Sequence, residues 1–306
     1  MGEENQQDIV KCGYVTIAGR PNVGKSTLLN AVLGQKVSIV TRKPQTTRDR
    51  ILAVHNTDDR QVIFLDTPGI HRPQDGLGHY MNEAANNAIL EADVCLWLID
   101  ATDRKRGEGL SREERDIARR LQQTGIPVVI ALNKVDRMEP KERILPLLQE
   151  IHAMDIAREI VPVSALTGDG VDTLMSLVVA MLPEGPRLFP RDMLSDRADR
   201  FFVAELVREA IMDITHKEVP YRTAVVIDQF KEQPAGTEIF ASIHVETTGQ
   251  KAIIIGKNGE KITEIRERAR TQAAELLGCP VSLRLHVDVS PDWSTNPAGL
   301  RKMGYE

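Results

Sequence analysis

The chain has 306 residues, 42% hydrophobic, 27% charged and 4% aromatic, with a formal net charge of −5 and 3 Cys. That length and apolar content predict two globular domains and exclude wholesale disorder, and no apolar run approaches the roughly 18 residues of a membrane span. A negative net charge argues against a nucleic-acid binder held by global electrostatics, so any such activity must rest on a local patch.

Residues 1–11 are polar and acidic, which predicts a tail rather than a secretory signal or transit peptide. Gln6 holds the place where a myristoylation signal carries Ser or Thr. Cys12, Cys95 and Cys279 are too scattered for a disulfide framework or a zinc site, which points to a reducing, cytoplasmic setting. Over residues 12–183 apolar runs alternate with amphipathic ones. Tyr14–Ala18, Val62–Leu65, Val94–Ile99, Pro127–Leu132 and Glu159–Val163 read as strands with helices between them, an α/β domain on a mostly parallel sheet. Ser111-Arg-Glu-Glu is a capping box opening a helix to about Gln122. Asp100, Asn133 and Ser164 each lie just past a strand's carboxyl end, the edge where open α/β sheets bind ligands.

Pro183, Pro186 and Pro190 make residues 184–192 a stiff linker. Residues 193–306 follow another pattern. Phe202, Leu206, Ala210 and Ile214 recur at helical spacing, as do Ile262, Ile265, Ala269, Ala273 and Leu276. Ile239 to Val245 and Val281 to Val289 alternate strictly, the mark of strands with one buried face. The order predicts an α+β domain.

Between the first strand and a helix lies Gly19-Arg20-Pro21-Asn22-Val23-Gly24-Lys25-Ser26-Thr27, a G-x-x-x-x-G-K-S phosphate loop in its required context. Its backbone N–H groups and the helix N-terminus would cradle phosphates, Lys25 would reach the β- and γ-phosphates, and Ser26 would ligate Mg²⁺. Asp66-Thr67-Pro68-Gly69-Ile70 follows the strand Val62–Leu65; Asp66 would hold Mg²⁺ through water and the Gly69 N–H would sense a γ-phosphate. Asn133-Lys134-Val135-Asp136 places a carboxylate that can accept both guanine N1–H and N2–H₂, a donor pair adenine lacks. Asn133 would support the loop and the purine O6/N7 edge, and the Lys134 stem would cover the ring. Ser164-Ala165-Leu166 would present the Ala165 N–H to O6.

This motif set resembles the translation-factor-like GTPases, and most closely the bacterial Era family, over nearly the whole chain from Lys11 onward. The resemblance implies a P-loop GTPase domain binding GTP or GDP with Mg²⁺. It also implies a first switch at Pro44-Gln45-Thr46-Thr47-Arg48, with Thr47 the Mg²⁺ ligand ahead of Thr46. Lys25, Asn22 and Gly69 would then be the catalytic groups. Ile70 stands where many small GTPases carry a water-orienting Gln, so slow intrinsic hydrolysis is expected. Asn22 either holds a K⁺ in place of an arginine finger, as in related GTPases, or braces the loop; His71 reads as a solvated switch residue rather than a general base.

In the second domain, Lys251, Ile255, Gly256, Lys257, Asn258, Gly259, Lys261 and Ile262 surround a G-x-x-G turn between two helices, a place where backbone can approach a nucleic-acid strand. This resembles the KH domain of Era proteins, a G-x-x-G helix-turn-helix on a three-stranded sheet. The basic excess nearby is modest, and Arg266 to Arg270 fit a solvated helix face equally well. Phe240, His244, Arg284 and His286 read as ordinary surface rather than base-stacking groups, and Trp293 as packing. The resemblance implies a monomeric cytoplasmic protein that binds the 3′ end of the small-subunit rRNA on the ribosomal precursor particle and assists its maturation. It leaves room for weak peripheral membrane association at the inner face of the cell membrane. The competing reading is a regulatory GTPase whose second domain docks a protein or a membrane surface.

Overall fold

Val94–Asp100 and Val128–Asn133 are buried at every position, as strands covered on both faces must be. In the computed structural model, which describes residues 9–41, 43–70, 73, 75–102, 109–138 and 141–305, they are the centre of the first sheet. Its strands are β1 (Ile9–Ala18), β2 (Ile51–Asn56), β3 (Arg60–Asp66), β4 (Val94–Asp100), β5 (Val128–Asn133), β6 (Glu159–Pro162) and β7 (Glu184–Pro186). The order is β2-β3-β1-β4-β5-β6, with β7 on the start of β1. Only β2 against β3 and β7 against β1 run antiparallel. The helices are α1 (Lys25–Leu33), α2 (Gly76–Glu91), α3 (Arg112–Thr124), α4 (Leu145–Met154) and α5 (Val171–Met181). Ser111 caps α3 as read from the sequence: it accepts the Glu114 N–H at 3.2 Å, and the Glu114 carboxylate accepts the Ser111 N–H at 2.7 Å.

The stretch read as a stiff linker is instead fastened along the first sheet. Glu184–Pro186 form β7, and buried Gln61 accepts the N–H groups of Leu188 and Phe189 at 2.7 and 2.9 Å while donating to the Phe189 carbonyl at 2.8 Å. The prolines mask this pairing in the sequence, because proline removes donors without preventing a short edge strand.

The chain divides into one unit of residues 1–38, 47–71 and 81–196 and another of 39–46, 72–80 and 197–306. The second contains α6 (Asp199–Ile214), β8 (Thr223–Gln233), β9 (Gly236–Val245), α7 (Thr248–Ile255), α8 (Glu260–Leu277), β10 (Val281–Val289) and α9 (Pro297–Lys302). Its sheet runs β10-β9-β8, with β10 parallel to β9 and β8 antiparallel. Val203, Leu206, Val207, Ala210 and Ile211 of α6 pack with Ile265, Ala269 and Ala273 of α8 over Ile239, Ile243 and Val287. Phe202 and Ile214 are only partly buried and Leu276 is exposed, so the apolar stripes are narrower than read from spacing. Trp293 is 1% exposed, stacks on Tyr305 and donates to the Arg222 carbonyl, a packing role.

Candidate functional site

The turn from β1 into α1 builds the phosphate loop. Gly24 precedes the helix at φ 103°, and a Cβ there would stand 2.3 Å from Asn133 Nδ2, so glycine alone fits. No side chain caps the helix, which leaves its first N–H groups to an anion. Lys25 is buried and donates to the carbonyls of Gly19 and Arg20 at 3.3 and 3.2 Å. Burial lowers its pKa to about 8, against the pull of Asp66; an arriving phosphate favours the charged form. Asn22 is exposed in the left-handed region at φ 63°. Val23 is buried beneath the loop.

Beside the loop three oxygens converge. Ser26 Oγ lies 2.9 Å from Thr47 Oγ1 and 3.3 Å from Asp66 Oδ2. Asp66 is fully buried, and burial raises its carboxyl pKa. Its Oδ1 has no hydrogen-bond partner among the described residues, a costly arrangement unless a cation or water completes it. A set of hard oxygen donors with one orphaned carboxylate oxygen fits Mg²⁺. Thr46 faces elsewhere, its hydroxyl 2.9 Å from Thr41 Oγ1 and donating to the Lys43 carbonyl at 2.8 Å. Within the second unit Arg208 donates to the Thr46 carbonyl, Lys43 to those of Met212 and Thr215, and the Val40 N–H to Glu209. Pro44 is exposed, Gln45 takes φ 59°, and Arg48 is buried.

Ser38 escapes a reading by motif. It donates to Asp66 Oδ2 at 2.8 Å, and Asn30 holds it by accepting its N–H at 2.9 Å and donating to its carbonyl at 2.7 Å. Nothing in the spacing distinguishes this serine from a loop residue. In the next motif Thr67 is buried and donates to the Ile17 carbonyl. A Cβ on Gly69 would stand 2.7 Å from the Pro21 nitrogen, so this loop lies against the phosphate loop. Ile70 is 6% exposed and its N–H donates to the Gly19 carbonyl. His71 and residues 1–8 of the expected 1–11 tail lie outside the described residues, whereas residues 9–11 belong to β1 rather than to a tail, because Ile9–Lys11 pair with Glu184–Pro186.

The base loop leaves β5. Asn133 donates to the Val23 carbonyl at 2.7 Å and accepts the Ala165 N–H at 2.9 Å. Both ends of its amide are thus engaged within the protein, so it braces the two loops, and the Ala165 N–H expected at the purine O6 is already held. Lys134 takes φ 68° and donates to the Asn22 carbonyl at 2.7 Å. The Val135 N–H donates to the Val163 carbonyl at 3.3 Å. Asp136 lies in the single turn Val135–Arg137, 3.6 Å from Arg137 Nε. Ser164 is buried and its hydroxyl accepts the Thr167 N–H, whereas Leu166 is 67% exposed.

In the second unit the G-x-x-G turn joins α7 to α8. Gly256 takes φ 74°, and a Cβ there would press to 2.9 Å on Lys261 Cγ. Asn258 is left-handed at φ 53°. Lys251, Lys257 and Lys261 form no ion pair among the described residues, whereas Arg266 and Arg270 pair with Glu267 and Arg268 with Asp213. The local positive charge therefore sits on the lysines at the turn. Ile253 is exposed at 40%, and Ile255 and Ile262 are half-buried. On the open sheet face Arg284 covers the Phe240 ring at 5.0 Å, and His286 lies 3.1 Å from Asp288.

A phosphate loop, a buried aspartate clustered with two hydroxyls and a strand-end N-K-x-D loop on one sheet edge, with a G-x-x-G turn in the second unit, define a P-loop GTPase joined to a KH domain. Family models agree: residues 14–134 match a model described as 50S ribosome-binding GTPase, and residues 218–294 match a KH domain. The chain is 46% identical over 297 residues to GTPase Era of Geotalea uraniireducens (strain Rf4), covering 97% of this chain and 98% of that protein. To GTPase Era of Azotobacter vinelandii it is 45% identical over 306 residues, covering 100% and 99%. Two solved structures match at TM-score 0.92 and 45% identity, covering 97% of this chain and 99% of theirs. One is an Aquifex aeolicus Era variant bound to GDP·AlF4⁻; the other is Era with MgGDPNP and nucleotides 1506-1542 of 16S ribosomal RNA. The chain belongs to the Era family of GTPases.

Proposed function

We propose that this GTPase binds GTP through Lys25, Ser26 and the 19–27 loop, reads guanine with Asp136, and couples its nucleotide state to single-stranded rRNA held at the G-x-x-G turn. The observation that carries the reading is the convergence of Ser26, Thr47 and the orphaned Asp66 oxygen beside buried Lys25. Ser26 and Thr47 would hold Mg²⁺ directly and Asp66 through water, and the ion would neutralise charge on the β- and γ-phosphates. Lys25 turns from its carbonyl partners to the phosphates, and the Gly69 N–H reports the γ-phosphate. Ile70, fixed in the core, positions no water. Intrinsic hydrolysis is therefore slow, and Asn22 is the residue that would hold a K⁺ supplying positive charge at the phosphates.

In the second unit Lys251, Lys257 and Lys261 meet the RNA backbone while Ile255 and Ile262 line the side of the turn that takes unstacked bases. The target is the 3′ end of the small-subunit rRNA; the solved Era complex with nucleotides 1506-1542 of 16S ribosomal RNA supports an rRNA ligand. The protein works as a cytoplasmic monomer on the small-subunit precursor.

Crosslinking to rRNA with a GTP analogue, with GDP and without nucleotide tests the reading. Strong crosslinking at the rRNA 3′ end with the analogue and weak crosslinking with GDP is expected. Equal crosslinking in all three states would remove the coupling, and none in any state would favour a second domain that docks a protein or a membrane.

A further inference from the structure

Asp100 ends β4, in register with Asn133 of β5, and the Ala101 N–H donates to the Asn133 carbonyl at 2.9 Å. This pairing sets the Asp100 carboxylate beside the base loop. Its Oδ2 lies 2.5 Å from Lys134 Nζ. Its Oδ1 accepts the N–H and hydroxyl of Thr102 at 2.9 and 2.7 Å. The Asp100 residue is 8% exposed and the Lys134 side chain 26%. The same ammonium donates to the Asn22 carbonyl at 2.7 Å. Left to itself, a lysine side chain is among the most mobile, with four rotatable bonds and three donors that water satisfies easily. Here its backbone is turned into the left-handed region and its tip is held from two sides, by a carboxylate from one strand and a carbonyl from the phosphate loop.

We infer that Asp100 is a positioning residue for guanine-nucleotide binding: it pins the Lys134 ammonium so that the alkyl stem lies as a flat cover for the purine while its tip ties the base loop to the phosphate loop. The inference rests on the reading that Lys134 covers the base. The Thr102 contacts hold Asp100 in turn, so a chain of hydrogen bonds runs from Thr102 through Asp100 and Lys134 to Asn22. Because both charges are largely withdrawn from water, removing one leaves the other poorly compensated. The loss should therefore appear in dissociation rather than association.

The test is a double-mutant cycle on the full chain stripped of nucleotide, following GDP affinity and dissociation rate together with thermal unfolding. Asp100→Asn, which keeps the shape, and Lys134→Met, which keeps the stem but removes the charge, should each weaken GDP about tenfold through faster release. The double variant should be no weaker than Lys134→Met alone. For Asp100→Asn the KM for GTP should rise while kcat at saturation stays at its wild-type value, a split that a purely structural strand cap would not produce. Additive losses in the double variant, or an Asp100→Asn protein with wild-type affinity, overturn the inference while leaving the base-covering role intact. A Lys134→Ala protein that binds GDP as tightly as wild type overturns that role and the inference together. Lys134→Met probes the contact without altering Asp100, so a poorly folded Asp100 variant does not block the test.

Discussion

Of the seven described non-glycine residues at positive φ, four, Asn22, Gln45, Lys134 and Asn258, fall in the phosphate loop, the stretch expected to be the first switch, the base loop and the G-x-x-G turn. Such conformations cost energy and persist where the surroundings impose them, often at functional sites. The two neighbouring threonines of the switch show how much one residue's placement decides. Thr47 Oγ1 faces Ser26, whereas the Thr46 hydroxyl is tied to Thr41 and Lys43. Thr47→Ala is therefore expected to weaken Mg²⁺-dependent binding of a GTP analogue about tenfold with GDP affinity little changed, and Thr46→Ala to have the smaller effect; titrations with and without Mg²⁺ check this. Lys25→Ala should lower the rate of phosphate release about 100-fold or more, because its charge meets the transferring phosphoryl group. The motif residues Lys25, Ser26, Asp66 and Asn133 were legible in the sequence because fixed spacings between a strand and a helix carry their chemistry. Ser38 and the Asp100–Lys134 pair were not, since each partner comes from a separate element and only the sheet register brings them together.

At the scale of elements, the start of α3 was legible from its capping box. The Ser111 capping box forms with both of its hydrogen bonds, and Ser111→Ala should cost about 1 kcal/mol in a denaturant titration. The short helix α9 begins at Asn296, which accepts the Gly299 N–H at 2.7 Å. Strand β7 was hidden because Pro186 and its neighbours Pro183 and Pro190 look like linker chemistry, while the residue that secures the following stretch, Gln61, sits far away in the chain. Trp293 is enclosed at the end of the second unit, and Trp293→Ala should destabilise that unit by about 3–5 kcal/mol, seen as an earlier unfolding step in circular dichroism. At the G-x-x-G turn, Gly256→Asp adds a side chain where a Cβ already meets Lys261 and a negative charge where phosphate should lie. RNA affinity should fall sharply in a filter-binding assay with GTP hydrolysis retained.

For the whole molecule, a net charge of −5 conceals a local positive group at Lys251, Lys257 and Lys261. A global count averages over arginines that acidic neighbours neutralise, which explains why composition alone pointed away from RNA. Potassium belongs to this scale as well. With Ile70 buried and unable to orient water, hydrolysis measured in potassium chloride should exceed that in sodium chloride at equal ionic strength, and equal rates would remove K⁺ from the scheme. Everything turns on which nucleotide the first unit selects. Calorimetric titration of the nucleotide-free protein with GDP and with ADP measures that selection directly. A preference for GDP of about 100-fold or more is expected, because adenine would leave the Asp136 carboxylate without its donors; equal affinity for the two would contradict it.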